Sequence, residues 1–109
     1  MIQRKDRTLD AYEDAGAVLR LLKTLGTKAA VEVSPILHAA DTDKLLRALD
    51  KVDEICSRAE ENMFRDYPQL PSQYIDVFYG AANGQPLNEV DEKIHKKMEV
   101  VARELTARA

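Results

Sequence analysis

Glu92-Lys93-Ile94-His95 is the stretch of this 109-residue chain that comes closest to a metal-binding pattern. A glutamate and a histidine three residues apart share one face of a helix, and a carboxylate-bridged di-iron site uses two such pairs with further inward glutamates from other helices. The second pair is missing here, because His38, the other histidine, follows no glutamate at that spacing. His95 therefore reads as a surface residue one turn from Asp91, and no metal is expected. Cys56 is the single cysteine, so an intrachain disulfide is impossible. It stands in helical register with Leu49, Val52, Ala59 and Met63, and so reads as a core side chain rather than an accessible thiolate nucleophile. Ser34 and Ser72 precede prolines or helical patterns as capping residues, which leaves covalent catalysis without a constellation.

Two acidic pairs, Asp50/Asp53 and Glu89/Glu92, define the alternative reading, a magnesium-dependent pyrophosphohydrolase. Small all-α nucleoside triphosphate pyrophosphohydrolases hold magnesium through Glu-x-x-Glu and Glu-x-x-Asp pairs on successive helices. The order and spacing of those pairs are not reproduced in this chain, and no lysine-rich or glycine-rich phosphate cradle accompanies them. Asp41-Thr42-Asp43 resembles the short acidic pair of some glycosyltransferases, but it lies at the start of a strong helical pattern and reads as capping oxygens. No enzyme activity and no cofactor are expected. Nucleic acid is not an expected partner either: the formal net charge is −3, acids and bases are interleaved, and the only basic cluster is Arg4, Lys5 and Arg7. Weak binding of nucleic acid through that arm is the third reading. The amino-terminal residues carry no apolar run of a secretion signal, and no apolar stretch approaches the roughly 20 residues that span a bilayer. A cytoplasmic chain without a membrane partner is expected.

The elements that must position these residues are helical throughout. The sequence reads as one all-α domain over residues 1–109, a small bundle of three long helices at about 8–25, 43–66 and 88–107, with short helical segments at about 28–40 and 71–79; residues 1–7 read as a flexible arm. In the first helix Ala11, Ala15, Val18, Leu22 and Leu25 recur at spacings of four and three, and Tyr12, Leu19 and Leu21 widen the stripe. Asp10, Glu13, Asp14, Arg20 and Lys23 fill the polar circumference. Gly26 predicts a left-handed stop, with Thr27 capping the next segment and Ser34-Pro35 interrupting it. The second helix repeats Leu45, Leu49, Val52, Cys56, Ala59 and Met63, and carries Asp43/Arg47, Glu54/Arg58 and Glu61/Arg65 in the favourable acid-first order. The third opens with Asn88 as cap and Asp91 three residues on, presents Val90, Ile94, Met98, Val101 and Leu105, and sets Glu89 against Lys93 on its wet face. Asn83-Gly84 marks a turn before it.

Five of the six aromatic residues, Phe64, Tyr67, Tyr74, Phe78 and Tyr79, crowd into one stretch broken by Pro68 and Pro71. Two compatible roles follow. The segment crosses the bundle and plugs one end with Phe64, Ile75, Val77 and Phe78, while Tyr67, Tyr74, Phe78 and Tyr79 supply residues for a protein partner, since broad rings with a water-tolerant hydroxyl recur at interfaces. The function expected is non-catalytic: a small protein-interaction or accessory module of bacterial style, binding a protein partner or itself. Wide apolar stripes on three helices exceed what a thin three-helix monomer covers, which favours a homodimer.

Overall fold

The computed structural model describes residues 7–79, 86 and 88–107. It is all-α, as expected: α1 spans Leu9–Val33, α2 Ala39–Asp66 and α3 Glu89–Ala107, with a 3-10 turn at Ser72–Asp76, and no strand occurs among the described residues. Arg4 and Lys5 of the basic arm and the Asn83-Gly84 turn lie outside the described residues.

Thr8 starts α1, its Oγ1 accepting the Ala11 amide at 3.0 Å. The expected stop at Gly26 is corrected: the helix runs through it to Val33. A glycine inside a helix costs only about 1 kcal/mol against alanine, and here it has a packing reason, because a Cβ at Gly26 would overlap the Leu49 side chain. The expected short element at 28–40 is therefore divided. Residues 28–33 finish α1, Ser34-Pro35 breaks the ladder, and α2 begins at Ala39 after an extended His38, four residues earlier than the Asp43 start read from sequence. The segment expected as a helix over 71–79 is a 3-10 turn of five residues held by bonds such as Tyr74 N to Pro71 O at 3.1 Å.

α1 and α2 form an antiparallel hairpin, since Arg7 meets Asp66 at one end, Lys23 lies near Asp53 in the middle, and Gly26 faces Leu49 further along. Its seam on α2 is Thr42, Leu45, Leu49, Val52, Cys56, Ala59 and Met63, each partly or fully buried along a helix whose other residues are mostly exposed. The matching seam on α1 is Tyr12, Gly16, Leu19, Lys23, Gly26, Ala30 and Val33. α3 runs antiparallel to α1 and meets it from Asp10 to Arg20. The far part of the hairpin is thus only two helices thick, in a molecule measuring 47 × 28 × 27 Å.

Gly16 is where the 77–79 segment comes closest to α1. A Cβ there would stand 2.6 Å from the Val77 carbonyl oxygen and 2.7 Å from its Cγ1. Backbone cannot swing aside, so Gly16→Ala should destabilise by about 1–3 kcal/mol, outweighing the helix-propensity gain of about 1 kcal/mol. Gly26→Ala meets only the end of a flexible leucine and should cost less. Urea unfolding of the two variants checks this; equal effects would remove the distinction.

Candidate interaction surface

The four aromatic residues expected at an interface have separate fates. Phe78 is completely buried beside Val77, Met63 and Ile94, which withdraws it from any contact surface. Tyr67 is half-buried, its hydroxyl donating to the Arg7 carbonyl at 2.9 Å and its ring edge-on to Tyr12 with centroids 6.2 Å apart. Tyr79 is half-buried too, with its hydroxyl 2.8 Å from Ser57 Oγ and Lys23 Nζ 4.5 Å from its ring centre. Tyr74 packs partly buried against the core. Of the expected plug, Val77 is buried with Phe78 and Phe64 is half-buried, whereas Ile75 is exposed. The segment ties the bundle together, and two of its three tyrosine hydroxyls are engaged within the chain.

Sequence reading placed Glu13 and Arg20 on the wet side of α1; both are buried. Arg20 is 4% exposed and Asp91 0%, and their Nη1 and Oδ1 are 2.5 Å apart. The same guanidinium donates through Nε to the Val77 carbonyl at 3.0 Å and through Nη2 to the Asp76 carbonyl. Planar, always charged and five-donor, arginine suits this joint of three elements. Asn88 caps α3 as expected, its Oδ1 accepting the Asp91 amide at 2.8 Å, but the Asp91 side chain turns to Arg20. Glu13, 1% exposed, is reached by Lys93 Nζ at 3.0 Å, so Lys93 serves α1 rather than a wet-face pair with Glu89. Lys97 bridges Asp10 at 3.0 Å and Asp14 at 2.5 Å. The hydrogen bond that Lys93 donates to Glu13 raises the Lys93 pKa, and the one that Lys97 donates to Asp14 raises the Lys97 pKa, so both ammonium groups stay charged at neutral pH. The signal missed in the sequence is that Glu13, Ala17 and Arg20 share a four-then-three spacing on one face.

At the other end of the hairpin Asp66 accepts from Arg7 Nε at 2.9 Å and from the Tyr12 hydroxyl at 2.5 Å. Burial first, and then this carboxylate, push the Tyr12 phenol up to about 12. Cys56 is fully buried and burial raises its thiol pKa, which keeps it protonated and matches the core role read from its spacing. His95, read as a surface residue, is partly buried, while its one-turn spacing from Asp91 does place Nε2 4.0 Å from Asp91 Oδ2. The acidic residues of the pyrophosphohydrolase alternative, Asp50, Asp53, Glu89 and Glu92, are all exposed, and no metal-holding group of three or more acidic, histidine or cysteine residues exists among the described residues. No helix among them is long and apolar enough to cross a membrane.

Several large apolar side chains remain uncovered among the described residues, and they include four on one side of the hairpin. Val18 is 48% exposed, Leu22 47%, Leu25 52% and Ile55 on α2 52%. These α1 residues are the stripe that hydrophobic spacing marks as inward; the packed seam is one residue later, a rotation of about 100°. The reason is composition. The inward faces of α1 use glycine, alanine, tyrosine and neutralised charges beside Leu9 and Leu19, while Val18, Leu22 and Leu25 stay outside. Val18 is two residues, and therefore about 200°, from both Gly16 and Arg20, which touch the 77–79 segment. Ile55 stands two residues from Ser57, which also touches it. Val18, Leu22, Leu25 and Ile55 consequently share the hairpin face that looks away from that segment. Along the flank toward α3 a groove of about 530 Å³ opens over Val18, Val100 and Val101.

Comparison with known protein families, with curated proteins and with solved structures finds no match for this chain.

Proposed function

We propose that this protein is a non-catalytic helical interaction module, an accessory or adaptor chain that works by presenting an apolar helix face to another polypeptide in a reducing cytoplasm. The observation that carries the reading is the half-exposed series Val18, Leu22 and Leu25, three large aliphatic side chains at seam spacing with Ile55 beside them. Apolar residues scattered singly over a surface need no explanation, but a contiguous row at four-and-three spacing is what helix partners use. The tyrosine segment has a supporting part: Tyr67 and Tyr79 hold it against the hairpin, and Tyr74 is the residue of the original set whose contact role stays in the proposal.

The test is the pair of substitutions Val18→Lys and Leu22→Lys, made together. Both positions are already about half in water, so helical circular dichroism should be retained and stability should change by no more than about 1 kcal/mol. Association should be lost, whether with a second copy or with a protein held by the wild-type chain in extracts of its own cells. Unchanged association, or a collapse of the fold that returns these residues to a core, would remove the reading.

A further inference from the structure

Resting on that reading, we propose that the occupant of the stripe is the same stripe of a second copy, paired antiparallel about a two-fold axis that passes beside Arg20 and Leu21. The row Ala11, Ala15, Val18, Leu22, Leu25 and Ala29 continues the alternation of four and three over almost the whole of α1 and contains no charge. Small residues end it and large ones occupy its middle. In an antiparallel helix pair each residue of one seam position packs against the other seam position of its partner. The layers are then Ala11 with Ala29, Ala15 with Leu25 and Val18 with Leu22 of the second copy, each repeated by symmetry. Small side chains meet at the ends and a small one opposes a large one in the next layers, which lets the two helices approach closely.

The flanking charges select the same register. Asp14, Leu21 and Lys28 precede Ala15, Leu22 and Ala29, and antiparallel pairing brings such flanking positions together. Asp14 then lies alongside Lys28 of the second copy, and the symmetry supplies the reciprocal pair; Leu21 meets its own equivalent across the axis. All three are outside the α1–α2 seam; Asp14 and Lys28 are exposed, and the contact with the second copy would add to the bridge from Lys97 to Asp14 at 2.5 Å and compete with the long, exposed pair of Lys28 with Glu32 at 3.5 Å. A parallel pair would instead set Asp14 toward Leu19 and Lys28 toward Val33, residues already used against α2, with no ion pair gained.

Area gives an independent measure. The 25 residues of α1 make a helix about 37 Å long, and a two-helix face is about 20 Å wide. One side of the hairpin thus presents about 750 Å², close to the roughly 800 Å² per partner of a stable specific interface. The face is open to such a partner because the 77–79 segment lies on the other side, and the groove over Val100 flanks the Asp14 end, where the Leu25 end of the second copy would lie. The product is a four-helix core made of two hairpins, an isologous contact.

Light scattering of the purified full chain at sub-millimolar concentration should return twice the chain mass. Leu21→Cys, treated with diamide, should give a disulfide-linked dimer, the two thiols giving up their hydrogens to the diazene; Leu46→Cys, exposed on α2, should not. Lys28→Asp sets two acids together and should weaken dimerisation by about tenfold, and adding Asp14→Lys should recover most of that loss. A monomer at all concentrations would overturn the proposal, as would a dimer cross-linked by Leu46→Cys rather than Leu21→Cys, or one indifferent to Lys28→Asp. The interaction reading fails separately. A monomer whose Val18→Lys, Leu22→Lys variant still loses a different bound protein would overturn self-pairing and leave that reading standing.

Discussion

Replacing Arg20 with alanine should lower the unfolding free energy by about 3–5 kcal/mol, the loss that follows removal of one member of a buried ion pair. The size comes from what is left behind rather than from the Coulomb attraction alone. Asp91 is wholly buried, so its carboxylate would stay out of water without its cation, and the Val77 and Asp76 carbonyls would lose their donor at the same time. Marginal domains are stable by only about 5–15 kcal/mol, so this single side chain decides a large share. The release should also be local before it is global: α3 is tied to α1 through Arg20, Glu13 and Asp14, and amides of α3 should exchange with solvent faster than those of the α1–α2 seam. Urea unfolding of Arg20→Ala, Asp91→Ala and the double variant measures it. The double variant should lose less than the sum of the singles, because the two sites are in contact. A loss below about 1 kcal/mol for Arg20→Ala would place the pair with exposed ion pairs and contradict its burial.

Phe78→Ala should lose about 3–5 kcal/mol, the usual range for deleting a fully buried aromatic ring. Phe78 is the largest completely buried side chain, closing the space between α1, α2 and α3 with Val77, Met63 and Ile94. It sits in the segment that carries the contact-prone tyrosines, so the experiment separates the two roles assigned to aromatic residues there. A core residue lowers the melting point, by about 4–8 °C for each kcal/mol in a domain this small. A contact residue would leave stability alone and affect association only. Thermal unfolding and light scattering of Phe78→Ala beside Val18→Lys, Leu22→Lys should give opposite patterns, instability in the first and loss of assembly in the second.

The α2 seam was legible from Leu45 to Met63; Thr42, read as a capping residue, joins it because the helix starts at Ala39. Leu45, Leu49, Val52, Cys56, Ala59 and Met63 are apolar and sit at the spacing of a packed stripe, so composition and geometry pointed the same way. The cap at Asn88, the break at Ser34-Pro35 and the end of α2 before Pro68 were equally readable, because a capping oxygen and a missing amide act locally. Gly26 was misread because its use depends on a neighbour: only the approach of Leu49 makes absence of a Cβ an advantage inside a helix. The tyrosine segment was recognised as a crossing element, but which of its rings face inward depends on Gly16, Lys23 and Ser57, residues far from it in the chain.

The chain's order of residues determined three amphipathic helices, the break at Ser34-Pro35 and the inward stripe of α2, since each follows from periodicity and short-range hydrogen bonding. Tertiary structure decided which side of α1 is the inside. Glu13 and Arg20 became core residues only because Lys93 and Asp91 arrive from α3 to neutralise them, and no local property of α1 announces those partners. Once α1 turns those faces inward, its oiliest row must face out, because a helix cannot aim every side at one core. That rotation of about 100° is the physical origin of the surface on which the proposed function rests.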